Sequence, residues 1–294
     1  MPLRHTSPRS HQRGAVLACA IATCGCTTGG FDGEDDAGVR DTGTGAHDAA
    51  DTGTEVADAA PSDTPGDVAV ETADAAAPCP TTAWATSYDL VPTVGPVSDR
   101  PADTHPDLNL KIRGFSPTTG TLGLIAVGGP TDALAPRLYT LLVDSGTPTF
   151  VGNLRVHGWD WGSMKSTGPI TDPAVTMVAW STAVGQAVRL PKSGYSVAPG
   201  RGARVLFLDD DSLTLKLTGE DNVVSGYTLH VLDLCIEPNL RKAYVDANTK
   251  GRKALPALAP LQVFAKARGD RVRVAIRDTG SFMDPRVEKD WYQP

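Results

Sequence analysis

Val272-Arg273-Val274-Ala275-Ile276 alternates large apolar side chains with polar or small ones, and Leu213-Thr214-Leu215-Lys216-Leu217 does the same upstream. A period of two sends successive side chains to opposite faces, so each segment reads as a strand with one buried face and one wetter face. Short apolar runs bounded by Gly, Pro, Asp and Ser surround them: Leu122 to Val127, Leu138 to Val143, Val175 to Trp180, Arg204 to Leu208 and Tyr227 to Leu234. These predict further strands joined by turns. One helix is expected after Pro238, with Leu240, Ala243 and Tyr244 on one face and Gly251 as its stop. The predicted class is therefore mainly β, a sheet or sandwich with one or two short helices.

The N-terminus reads differently. Arg4, Arg9 and Arg13, with no acidic neighbour, precede an apolar run from Ala15 to Thr23 and then Cys24-Gly25-Cys26. That is the order of a secretory signal, and the run is far short of the roughly 20 residues a membrane span needs. The expectation for residues 1–26 is a lipoprotein-like leader lipidated at Cys26, with Cys19 and Cys24 as the alternative sites and an ordinary secretory cut as the other reading. Lipidation of Cys26 leaves Cys79 and Cys235, which an exported protein can join as a disulfide or keep as two buried thiols.

Residues 27–78 are mostly Asp, Ala, Thr, Gly and Pro, with Phe31 the one aromatic, and Asp41-Thr42-Gly43-Thr44 recurs as Asp51-Thr52-Gly53-Thr54. Such a composition buries too little apolar surface to offset the entropy of ordering, so a disordered acidic tether is expected. It holds 13 acidic residues against one arginine, so the chain's net charge of −7 belongs to the tether and residues 79–294 are faintly basic. No phosphate loop, nucleophile elbow or basic nucleic-acid stripe occurs, and no nucleic-acid partner is expected.

Four further segments carry a resemblance. Ile276-Arg277-Asp278-Thr279-Gly280-Ser281-Phe282-Met283-Asp284-Pro285 resembles the I-R-x-x-G-x-x-x-D-P ending of lysostaphin-type (LytM-like, duplicated hybrid motif) zinc endopeptidases. Gln262 to Ala265 is similar to that family's Gly-Gln-x-Ile-Gly turn, with Leu261 in place of the glycine. Gly226-Tyr227-Thr228-Leu229-His230-Val231 looks like its strand ending in Tyr-x-His-Leu, and His105-Pro106-Asp107-Leu108-Asn109-Leu110 like its His-x-Gly-x-Asp-Ile. The order along the chain agrees, and residues 120–170 would be an insertion. More loosely, Asp221 to Tyr227 and Phe282 to Trp291 resemble a group of uncharacterised exported bacterial proteins, which implies no activity.

The resemblance implies a zinc ion held by the His and Asp of the first motif and by the second His of a His-x-His pair just before the I-R sequence, with the Tyr-x-His histidine assisting catalysis. His105 and His230 remain, but Asn109 replaces the carboxylate, and Arg271 and Arg273 occupy the His-x-His positions. Catalytic zinc needs three lone-pair donors and an open position for water, whereas arginine only donates hydrogen bonds and stays charged. The expectation is a metal-free, cofactor-free, non-catalytic version of the fold. Alternation puts Arg271 and Arg273 opposite Val272, Val274 and Ile276, where they could line a groove with His105 and His230 and pair with carboxylates of cell-wall peptide, or simply face solvent. Three functions stay open: a non-catalytic envelope module binding peptidoglycan or an envelope protein, an active zinc endopeptidase using other ligands, and a purely structural envelope domain. The membrane is touched only through the N-terminal lipid.

Three other patterns compete. Asp144-Ser145-Gly146-Thr147 and Asp278-Thr279-Gly280-Ser281 resemble the paired turns of aspartic proteases, but too little chain follows Ser281 for a second lobe. Asp209-Asp210-Asp211 could gather calcium, yet it lacks the spacing of a recognised loop and fits a turn between strands. Trp159-Asp160-Trp161 is either a sugar-stacking platform or a pair of core plugs.

Overall fold

The strands follow the alternating segments and add several that alternation did not reveal. In chain order they are β1 Asp89–Pro92, β2 Phe115–Thr118, β3 Phe150–Asp160, β4 Lys165–Pro169, β5 Met177–Ser181, β6 Ala187–Arg189, β7 Ala203–Leu208, β8 Ser212–Lys216, β9 Tyr227–Leu232, β10 Leu234–Ile236, β11 Ala254–Leu258, β12 Val263–Ala267, β13 Arg271–Asp278 and β14 Ser281–Phe282. The helices are α1 Leu110–Arg113, α2 Pro238–Thr249 and α3 Glu288–Trp291. The computed structural model describes residues 78–293 apart from 86, 97–98 and 143–145. The expected leader with Cys19, Cys24 and Cys26, the tether up to residue 77, and Asp144 and Ser145 all lie outside the described residues.

The larger sheet runs β1-β11-β7-β8-β9-β13-β5-β3-β2, with β14 beside β13 and β4 beside β3. A smaller sheet runs β10-β12-β6. Every pairing between these strands is antiparallel, so the protein is mainly β as expected. Asp233 adopts a left-handed φ of 70° and splits the run Tyr227 to Leu234 into β9 and β10, so that one apolar run serves both sheets. Residues 120–170 supply β3 and β4, and β3 pairs with β5 and β2 in the larger sheet.

Val272, Val274 and Ile276 of β13 are fully buried and join Trp180, Leu215, Val231 and Phe264 in one core that draws on both sheets. Each such side chain contributes roughly 1.5–3 kcal/mol by leaving water. The wetter face expected on β8 is absent: Thr214 and Lys216 are as buried as Leu213 and Leu215, because residues 102–113 and Phe282 cover that side. A smaller apolar cluster of Leu110, Val156, Met177, Leu232, Ala275 and Phe282 sits there.

Two expected strands are not strands. Leu122 to Val127 makes only an isolated parallel bridge, Ile125 to Val287, in which Ile125 bonds Arg286 and Glu288 through the backbone; Gly123 interrupts the run and the Gly128-Gly129 pair follows it. Leu138–Leu141 is a buried 3-10 turn, where the Thr140 hydroxyl bonds the Arg137 carbonyl at 2.7 Å and offers the backbone an alternative to a ladder. The expected helix is α2, with Pro238 in its first turn.

A clasp fastens the start of the described chain. Cys79 and Cys235 form a disulfide with Cα atoms 5.2 Å apart. Fully buried Glu237 caps α2 by accepting from Leu240 N at 2.7 Å and also accepts from Trp84 N and Ala85 N at 3.1 and 3.2 Å. Lys266 lies 4.5 Å from the centre of the Trp84 ring. Among the described residues no helix is long and apolar enough to cross a membrane.

Candidate functional site

Registration of β8, β9 and β13 places Thr214, His230 and Ala275 in one row and Lys216, Thr228 and Arg277 in the next. Directly opposed residues share a face, so these two rows set polar side chains beside the smaller apolar cluster, and the Leu108 carbonyl reaches Thr214 from the segment that covers them. Thr214 Oγ1 donates to Leu108 O at 2.6 Å and lies 2.9 Å from His230 Nδ1. With its one hydrogen spent on the carbonyl, the hydroxyl can only accept from His230, which puts a proton on Nδ1, and burial disfavours a second proton, so the imidazole is neutral. Nε2 then carries the lone pair, is buried and has no partner.

Asp107 organises the rest. Its Oδ1 accepts from Arg113 Nη2 and, at 2.8 Å, from Arg277 Nη1. Burial works to raise its pKa, but Arg277 and Arg113 outweigh that and hold the carboxyl below its usual range. Arg277 also donates to Gly280 O from Nε at 3.0 Å and Nη2 at 2.5 Å, and both guanidinium groups lie over the Phe282 ring, at 4.9 Å for Arg277 and 5.7 Å for Arg113. Burial first, and then Arg277 and Arg113, push His230 down to about 3. In the next row Lys216 is fully enclosed, donates to Ser225 O, and is lowered to about 8, chiefly by burial.

His105 ends the 3-10 turn Ala102–Thr104. Its Nδ1 accepts from Asp107 N at 3.1 Å and its Nε2 faces Asp99 Oδ1 at 3.4 Å, while burial lowers its pKa. Asn109 caps α1, accepting from Lys111 N at 3.2 Å and donating to Asp103 O at 2.9 Å. Arg273 forms a two-pronged pair with Asp233 at 2.5 Å for both contacts and lies 4.6 Å from the centre of the Phe115 ring. Arg271, at the outer end of β13, meets Asp270 at 3.2 Å. The structure thus gathers His230, Asp107, Arg113 and Arg277 around one buried point and sets His105 next to Asp107 through the backbone, while Arg271 and Arg273 pair elsewhere. Among the described residues no group of three or more His, Cys, Asp or Glu side chains is placed to hold a metal ion.

The competing patterns resolve locally. Asp278 to Ser281 is the β13–β14 hairpin turn, with left-handed Thr279 and Gly280 at φ 47° and 81°, the geometry of a two-residue type I′ loop. Asp209, Asp210 and Asp211 form the turn between β7 and β8, and cations neutralise them: Lys111 on Asp209 and Asp211, Arg268 on Asp211, and Arg241 on Asp210. Trp159 is half-buried, whereas Trp161 stands exposed at the β3–β4 tip.

Asp107, Arg113 and Arg277 were not legible as a site. Asp107 stands 170 residues from Arg277, and nothing local marks the two as partners. The only trace was an acidic residue inside the His105 motif and an arginine ending an alternating strand. No family model and no curated protein matches the chain.

Proposed function

We propose that this chain is a non-catalytic, exported cell-envelope module: a degenerate lysostaphin-like domain, lipid-anchored by its leader cysteine, that binds cell-wall peptide or an envelope protein. The observation that carries the reading is the Arg113–Asp107–Arg277 cluster on the His230 face. A hydrolytic zinc site there would need anionic or neutral donors around His230 Nε2 and a path for water. Instead two guanidinium groups occupy the face, Asp107 is committed to both of them, and His230 is 1% exposed. Asn109 serves α1 as a cap, which accounts for an amide where the enzyme family carries a ligand.

With the histidine face closed, ligand contact falls to the surface around it. Arg271 is half exposed at the end of β13, where a guanidinium can pair with a stem-peptide carboxylate. The test is co-sedimentation of the mature chain with purified peptidoglycan, run beside a dye-release assay on the same material. Binding without release, weakened in the Arg271→Ala, Arg273→Ala double variant, is the expected result. Release of soluble fragments that disappears in His230→Ala would overturn the non-catalytic reading, and failure to pellet would overturn the wall ligand.

A further inference from the structure

We propose a carbohydrate-binding platform at the tip of the β3–β4 hairpin, where the Trp161 indole stacks on the apolar face of an N-acetylhexosamine ring and the adjoining cleft holds the next sugar by hydrogen bonds. The choice of an amino-sugar glycan rests on the envelope reading; the platform itself rests on the following geometry.

β3 ends and β4 begins at the Asp160–Lys165 pair. Asp160 Oδ1 accepts from Gly162 N at 2.8 Å and Oδ2 from Ser163 Oγ at 2.6 Å, which pins the turn that carries Trp161. Arg100 lies over the indole, 5.1 Å from the ring centre, and His105 meets it edge-on at 5.7 Å and 63°. Arg100 Nη1 also reaches Met164 Sδ at 3.4 Å. The ring is therefore held in place from within the fold, yet 45% of its surface, and 43% of Met164, stays in solvent. A flat aromatic surface already immobilised loses little entropy on binding.

Polar groups converge beside it. A cleft of about 510 Å³ is lined by Asp99, Arg100, Asn248 and Arg252 among others, a size suited to a small ligand. Arg100 belongs to both the platform and the cleft, so an occupant of one abuts the other. Arg100 is paired with Asp99 at 2.7 Å, and Arg252 is buried with its donors on Tyr244, Asn248 and Leu206, so the charges that reach the rim are those of the Asp99–Arg100 pair. That suits an uncharged, hydroxyl- and amide-bearing ring rather than a phosphate or a nucleic acid, and a pyranose supplies the apolar face that stacks on an indole.

Isothermal titration of the mature chain with the N-acetylglucosamine tetramer tests this. Saturable binding with a dissociation constant on the order of 1 mM or tighter is expected, lost in Trp161→Ala, partly kept in Trp161→Phe, and weakened in Arg100→Ala. Circular dichroism should be unchanged throughout, because Trp161 packs on the surface. No binding by the wild-type chain, or equal binding by Trp161→Ala, overturns the platform. Co-sedimentation with peptidoglycan separates the two readings: pelleting that Trp161→Ala leaves intact removes the platform and keeps the wall ligand, whereas tetramer binding without pelleting keeps the platform and removes the wall ligand.

Discussion

Asp107 carries two guanidinium groups on one carboxylate, so Asp107→Asn leaves Arg113 and Arg277 charged, enclosed and without an anion. Breaking one partner out of a buried ion network costs about 3–5 kcal/mol, and urea denaturation at neutral pH should show a loss of that order. His230 gives a second signature. Its imidazole is held neutral in the fold, with a pKa of about 3 against 6.5 in the open chain. Between those values the unfolded state binds the extra proton, so stability falls as pH drops from about 6.5, with a limiting slope of roughly 1.4 kcal/mol per pH unit. Asp107 and the other lowered carboxyls act below about pH 5, and His105 shifts in the same direction as His230. Urea midpoints at pH 7, 6 and 5 should therefore decline, less steeply in His230→Asn, with the remaining slope belonging to His105; an unchanged slope would contradict the buried neutral imidazole. The sequence pointed to His230 and His105 by resemblance. It could not point to Asp107, because the partnership joins segments at opposite ends of the domain and only folding brings them together.

At the scale of elements, alternation found β8 and β13, and apolar runs found β5, β7 and β9, because the apolar side chains of each are buried, although on β8 the polar side chains are buried as well. The missed strands have other chemistry. β4, Lys-Ser-Thr-Gly-Pro, is exposed at every residue, and β2 carries Pro117 where the larger sheet ends, so neither shows an apolar face. The false strand at Leu138 fails for the opposite reason: four buried residues in a row fit a covered turn as well as a strand. The clasp at the start of the described chain was legible only as an even cysteine count. It closes a loop with a sequence separation of 156, for which chain entropy predicts about 5 kcal/mol. The Cys79→Ser, Cys235→Ser double variant should lose stability of that order, and hydrogen exchange should rise first at Trp84 and Ala85, whose amides bond Glu237.

For the whole molecule, charge separates by region in the sequence, with acidity in residues 27–78 and a faintly basic remainder. Within that remainder the cations are largely spoken for: Arg273 by Asp233, Arg113 and Arg277 by Asp107, and Lys111, Arg241 and Arg268 by the Asp209–Asp211 turn. A basic balance that is neutralised pair by pair, Arg271 with Asp270 included, builds the fold more than it builds an anion-binding face. The claim on which the rest depends is that the His230 face is a closed, metal-free interior. Zinc content by mass spectrometry, after equilibrating the purified protein with zinc and desalting it, tests that most directly. The account predicts substoichiometric zinc, the same in wild type and His230→Ala; one equivalent per chain that vanishes in His230→Ala would contradict it.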